Sequence, residues 1–321
     1  MLCSLCGVLF YFVVFVGAVL VFFRFWIKTL ANPCKSYTCM VGKTVIVTGA
    51  NTGIGYYSAL DFAKRGANVI LACRNERKAN EAKDSIIKKS GNPNISIKLV
   101  DFRSLKSIRE FCADVNKTVE KIDVLLNNAG AAGLKPGLTE DGLDGVWQTN
   151  YFSPYLLTVL LVEKLKKSGP CRVVNVASIM GKLSNVSLET VNTCNESMVY
   201  SWTKQCNILF TRELAKRLKD TKVHVYALHP GAIYTDIWRH LPKWFLLVWI
   251  PMMKFIYKTA EEGAQTSIYC SVAKECENDS GKLYAECKEI EMYDSCKDMT
   301  FAEALWEKSA DLVKLQEHER I

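Results

Sequence analysis

Thr48-Gly49-Ala50-Asn51-Thr52-Gly53-Ile54-Gly55 follows the apolar run Thr44-Val45-Ile46-Val47 and precedes an amphipathic stretch that ends at Gly66. Three glycines therefore stand where a strand turns into a helix. Gly49 permits a tight turn, Gly53 lets the main chain come close to a pyrophosphate, and Gly55 allows helix and strand to pack closely. The first N–H groups of the following helix have no partners within it and lie at the positive end of its dipole, which suits an anion. The stretch predicts a dinucleotide-binding turn that also uses Asn51, Thr52 and Ile54.

Outward from this turn, strand-like runs near 44–48, 68–73, 95–100, 122–127, 171–177 and 222–228 alternate with helical patterns, and a last short strand is expected near 282–285. Such alternation predicts an α/β fold, a doubly wound, mostly parallel sheet covered by helices on both faces. Asn92-Pro93-Asn94 and Ser168-Gly169-Pro170 read as turns between elements. The chain has 321 residues. Removing an N-terminal segment leaves about 280, enough for one catalytic domain, placed at 40–317. No internal repeat or low-complexity tract interrupts it.

Tyr200 and Lys204 lie four apart in Tyr-Ser-Trp-Thr-Lys-Gln-Cys-Asn-Ile-Leu-Phe, which reads as a helix and puts both side chains on one face. A phenol normally titrates near ~10, but an adjacent cation favours the phenolate and lowers that value. Tyr200 is therefore a candidate proton donor or acceptor.

With the glycine turn and this pair in hand, the chain resembles the short-chain dehydrogenase/reductase family over roughly residues 41 to 290. Asn127-Asn128-Ala129-Gly130 ends the run Ile122 to Leu126, as that family's Asn-Asn-Ala-Gly does, and Asp101-Phe102 ends the third strand, where the family contacts adenine. Asn150 and Ser178 match the rest of its Asn-Ser-Tyr-Lys catalytic set. Pro230-Gly231, with Thr235 four residues after the glycine, matches the segment that covers the nicotinamide. The resemblance implies a Rossmann fold and hydride transfer between a nicotinamide and a carbonyl or alcohol carbon. It implies that Tyr200 exchanges the proton and Ser178 orients the substrate oxygen. Lys204 would lower the tyrosine pKa and hold the nicotinamide ribose, and Asn150 would support a water relay to Lys204.

Cofactor choice is read at the end of the second strand, where an NAD-preferring protein places a carboxylate for the ribose hydroxyls. Cys73 stands there and Arg74 follows, which removes repulsion against a 2′-phosphate and supplies a guanidinium to it. NADP(H) is expected. Thr52 departs from many NADP-dependent relatives, which carry a second basic residue in the glycine turn.

Leu5 to Phe23 contains no charged residue and approaches the span of a bilayer core, so residues 1–28 are expected to form a transmembrane anchor. A cleaved secretory signal is the alternative, but neither a basic n-region nor a small-residue cleavage site is evident. Arg24, Lys28, Lys35 and Lys43 all follow the apolar run, which places the catalytic domain on the cytosolic side, with the endoplasmic reticulum as the expected membrane. Thirteen cysteines are scattered through the chain, several inside elements, which fits a reduced compartment better than a disulfide framework. Cys3-Ser-Leu-Cys6 has no second pair at zinc-site distance, and no metal is expected. Asn-x-Ser/Thr sequences begin at Asn94, Asn116, Asn185, Asn195 and Asn278, acceptors only in a lumenal domain. The net charge of +8 comes without a basic-aromatic array, which argues against nucleic acid as a partner and leaves an anionic membrane leaflet.

The resemblance places a substrate-covering lid at residues 236–259, a run rich in Trp, Phe, Leu and Met, with Lys243, Lys254 and Lys258 expected at headgroup level; a buried core helix is the alternative, against which Pro242, Pro251 and the lysines interrupt the run. Such a lid implies a large lipophilic substrate. Leu71-Ala72-Cys73-Arg74, Ala227-Leu228-His229-Pro230-Gly231, the 22-residue step from Ser178 to Tyr200 and Gly281-Lys282-Leu283-Tyr284 are similar to the microsomal retinol dehydrogenase group of the family. That likeness implies a retinoid-like alcohol or aldehyde as substrate. Trp202, Thr203, Gln205 and Cys206 depart from that group and are expected on the substrate side. The alternatives are a reductase of steroid or long-chain aldehyde carbonyls and a catalytically silent NADPH-binding membrane scaffold.

Overall fold

A computed structural model describes residues 2–30, 32–135, 137–194, 197–233, 254–277 and 279–321. Eight strands form one sheet: β1 Thr44–Thr48, β2 Asn68–Cys73, β3 Ile95–Leu99, β4 Val124–Asn127, β5 Cys171–Val176, β6 Val223–Leu228, β7 Lys282–Ala285 and β8 Lys288–Ile290. Their order is β3-β2-β1-β4-β5-β6-β7-β8, all pairs parallel except the last. The expected strands are present to within two residues at each end, and β8 is an addition. Three residues, Lys-Glu-Ile, carry too little pattern to announce a strand.

β1 shows why the sheet needs cover on both faces. Val45, Ile46 and Val47 are all fully buried, yet Ile46 packs into one apolar cluster while Val45 and Val47 pack into the other. Alternate side chains point to opposite faces, so a strand buried on both sides reads as an unbroken apolar run. One face is covered by α2 Gly53–Lys64, α3 Glu76–Ser90 and, across the middle of the sheet, the helix Ala260–Val272. The other carries α4 Leu105–Thr118, α5 Ser153–Lys167 and α6 Val199–Arg217, with the C-terminal helix Met299–Leu312 outside them. The last two helices are α7 and α8 in chain order. Tyr155, Phe210 and Trp306 meet between α5, α6 and α8 with ring centroids 4.9–5.7 Å apart, a geometry that adds specificity to the area buried.

At the N-terminus, α1 runs Leu2–Leu30. Among the described residues, no helix is long and apolar enough to cross a membrane. The segment after α1 is tied to α7: Cys34 N–H donates to Gln265 Oε1 at 3.0 Å and Thr38 Oγ1 donates to the Val272 carbonyl at 2.8 Å.

Candidate active site

The strand order reverses between β1 and β4, and the crevice outside the carboxyl ends of strands at such a switch point is where sheets of this kind bind ligands. Gly49 and Gly53 have φ of 65° and 61°, which few other residues adopt. A Cβ on Gly55 would lie 2.5 Å from both the Gly49 carbonyl oxygen and Asn128 Nδ2, so only hydrogen fits there. Thr48 closes the crevice floor: its Oγ1 accepts the N–H groups of Asn128 and Ala129, each at 2.9 Å, while Asn128 Nδ2 donates to the Thr48 carbonyl at 2.8 Å. Nothing in the sequence marks Thr48 for this role, because its partners Asn128 and Ala129 come from the end of β4. Asn51, Thr52, Gly53 and Ile54 are half-buried around the turn, and α2 begins at Gly53, which puts its first, intrahelically unpaired amides at the turn. The turn fits a dinucleotide pyrophosphate.

Past the end of β2, exposed Arg74 lies 3.8 Å from half-buried Asp101. An exposed pair at that distance contributes little, roughly 0–1 kcal/mol, and leaves the guanidinium available to a phosphate. Phe102 is buried and its carbonyl accepts from Ser153 Oγ at 2.8 Å. Cys73 lies buried beneath the glycine turn beside the Ala50 and Asn51 main chain, and burial pushes its thiol up to about 11.

The four expected catalytic residues converge on one wall. Asn150 lies in a π-helical turn, Gln148–Phe152, which widens the helix by one residue, a feature that recurs at functional sites. Its amide accepts from Ala131 N–H at 2.7 Å and donates to the Ala131 carbonyl at 2.9 Å and to Thr203 Oγ1 at 3.2 Å. Ser178 lies two residues beyond β5 and caps the following 3₁₀ turn through Met180 N–H. Tyr200 and Lys204 share the face of α6, with the Lys204 ammonium 5.6 Å from the tyrosine ring centre. Gly130 sits between: a Cβ there would lie 3.5 Å from Asn150 Oδ1 and 3.6 Å from Lys204 Nζ.

The electrostatics differ from expectation. Burial pushes the Tyr200 phenol above its ordinary value, and the opposing pull comes from a hydrogen bond with Ser178 rather than from Lys204. Lys204 Nζ itself donates to the Val176 carbonyl at 2.9 Å. Burial lowers Lys204 itself to about 8.

Other expectations are corrected. Gln205 and Cys206 do not line the substrate side: both are buried, and Gln205 accepts from Ser184 Oγ and Val186 N–H at 2.9 Å while donating to the Ser295 carbonyl at 2.7 Å. Lys258 is not a headgroup lysine but is buried against Glu286. Gly231 has φ of 90° and follows Pro230 at the end of β6. Thr235, and the lid over 236–253, lie outside the described residues, as do Asn195 and Asn278.

A parallel sheet with a glycine turn at its switch point and a Ser-Tyr-Lys wall beside it defines a nicotinamide-dependent oxidoreductase. The sequence matches the short chain dehydrogenase family over residues 43–245, and the chain belongs to that family. Within it, the chain is 40% identical to retinol dehydrogenase 13 of Mus musculus, covering 88% of this chain and 87% of that one. It is 37% identical to retinol dehydrogenase 12 of Homo sapiens, over 88% and 90%. Among solved structures, an uncharacterized protein from Mycobacterium Paratuberculosis aligns with a TM-score of 0.70 at 28% identity, covering 89% of this chain and 97% of that one. L-sorbose reductase from Gluconobacter frateurii, complexed with NADPH and L-sorbose, shares the fold, with a TM-score of 0.62 at 22% identity over 82% and 100%.

Proposed function

We propose that the protein is a membrane-anchored oxidoreductase that interconverts retinoid-like alcohols and aldehydes with NADP(H), its catalytic domain facing the cytosol. The observation that carries the chemistry is the convergence of Ser178, Tyr200 and Lys204 on one wall beside the glycine turn. The substrate class is supported by the likeness to proteins named retinol dehydrogenase and by the apolar composition of 236–259. NADP(H) is supported by Arg74 following Cys73, with only a weak surface partner in Asp101.

In this reading Gly49, Asn51, Thr52, Gly53, Ile54 and Gly55 cradle the pyrophosphate, Arg74 takes the 2′-phosphate, and Asp101 and Phe102 flank the adenine. Asn128, Ala129 and Gly130 line the ribose side, and Pro230, Gly231 and Thr235 cover the nicotinamide. The bound cofactor supplies or accepts the hydride. Ser178 orients the substrate oxygen by a hydrogen bond, and Tyr200 gives or takes the proton at that oxygen. Lys204 holds the ribose hydroxyls, and its charge then stands beside the phenol. Asn150, fixed at both ends of its amide, keeps Ala131 and Thr203 in register with Lys204.

The anchor reading is supported by the uncharged run Leu5 to Phe23 and by exposed Tyr11, Phe15, Phe22 and Trp26. Arg24 stacks 4.7 Å from the ring of Phe255 and donates to its carbonyl, which brings the base of α1 beside the end of the lid segment.

The test is oxidation of NADPH by detergent-solubilised protein offered all-trans-retinal, with NADH and Tyr200→Phe in parallel. NADPH consumption with little from NADH is expected, and Tyr200→Phe is expected to lower turnover by about 10²-fold or more while cofactor affinity stays. Turnover of steroid ketones or long-chain aldehydes alone would move the reading to other lipid carbonyls. NADPH binding with no turnover of any carbonyl would favour a scaffold.

A further inference from the structure

Lys258 is buried at 4% exposure and has no part in the chemistry above. Its main chain pairs with the segment after β6: an isolated parallel bridge joins Ile233 and Lys258, and Lys258 N–H donates to the Ala232 carbonyl at 3.0 Å. Its side chain then lies against that same segment. A Cβ on Gly231 would lie 3.2 Å from Lys258 Nζ and 3.3 Å from its Cδ and Cε. The ammonium pairs with the carboxylate of Glu286. Glu286 and Cys287 form the two-residue turn between β7 and β8, with φ of 51° and 55°. That turn type favours Asn-Gly, so two residues with full side chains are held there against preference. Non-glycine residues persist in such a conformation where the surroundings over-determine it, often beside a functional site. The surroundings here are Lys258 on Glu286, Thr266 Oγ1 accepting Cys287 N–H at 3.3 Å, and Asn32 Nδ2 reaching the Glu286 carbonyl at 3.5 Å. His229 adjoins the cluster, and burial together with the Lys258 charge holds it neutral.

We infer that Lys258 is a positioning residue that clamps Pro230-Gly231-Ala232 against the β7–β8 turn, with Glu286 as its counter-charge, and thereby sets the affinity for the cofactor. The inference rests on the reading of Pro230-Gly231 as the nicotinamide cover. A lysine paired in this way is costly to leave alone, because removing one partner strands the other charge. The lysine stem also packs where a side chain on Gly231 would sit, so loss of the clamp frees the cover as well as a charge.

The experiment compares wild type, Lys258→Met, Lys258→Arg and Glu286→Gln by amide hydrogen exchange without cofactor and by NADPH titration followed by fluorescence. Lys258→Met and Glu286→Gln are expected to speed exchange over 229–233, with α2 amides unaffected. They are expected to raise the NADPH Kd and KM about ten-fold with a much smaller change in kcat, and Lys258→Arg is expected to recover most of the loss. Uniformly faster exchange with an unchanged NADPH Kd would mean a merely structural ion pair and overturn the clamp. Wild type that binds no nicotinamide cofactor would instead sink the site reading, and exchange over 229–233 would still decide whether Lys258 holds the segment.

Discussion

At the scale of single residues, Lys204 carries a conditional charge. Burial lowers its pKa to about 8, some two units below an ordinary lysine. Between that value and the ordinary ~10.4 the unfolded chain binds more protons than the folded one, so stability rises with pH across the window, by at most about 3 kcal/mol. Cofactor affinity should move the other way, since an amine that loses its proton loses a charge and a donor to the ribose. Urea melts and NADPH titrations from pH 7 to 10 check this: stability climbs, affinity falls, and Lys204→Met flattens both slopes. Parallel movement of the two would remove Lys204 from the binding site. The shared face of Tyr200 and Lys204 was legible in a spacing of four. That Nζ turns to the Val176 carbonyl was not, because its partner belongs to a strand 28 positions earlier. Lys258 was misread for the same physical reason: a lysine in an apolar run looks like a headgroup lysine until Glu286, on a distant turn, is seen beside it.

At the scale of elements, the glycine turn separates two kinds of glycine. Gly55 faces backbone and an amide at 2.5 Å with no room to give, whereas Gly91 ends α3 with φ of 71° and meets nothing within 4 Å. Gly55→Ala should therefore destabilise by about 1–3 kcal/mol through overpacking and disrupt NADPH binding. Gly91→Ala should cost about 1–2 kcal/mol through its left-handed conformation alone and leave binding intact. Thermal unfolding with parallel cofactor titration distinguishes them, and intact binding in Gly55→Ala would argue against the turn as the phosphate cradle. The strands around the crevice were readable because buried parallel strands are unbroken apolar runs. The substrate-side assignment of Gln205 and Cys206 failed because α6 is buried nearly all round, so helical spacing alone could not say which of its faces meets the substrate.

At the scale of the whole molecule, the proposed topology has a test built into the surface. Asn94, Asn116 and Asn185 begin acceptor sequences and are all exposed, so nothing in the fold would shield them from a lumenal glycosyltransferase. Full-length protein expressed in cells should resist carbonate extraction, show no mobility shift on endoglycosidase treatment, and lose its catalytic domain to protease added outside sealed microsomes. A chain lacking residues 1–31 should be released from membranes while its soluble fraction still binds NADPH, since the residues that tie the N-terminal segment to α7 and the β7–β8 turn, Asn32, Cys34 and Thr38, are kept. The two arms answer separate questions. Glycans on any of the three asparagines would reverse the orientation without touching the anchor. Release of the full-length protein by carbonate would remove the anchor, and the apolar face of α1 would then have to be covered by another protein surface.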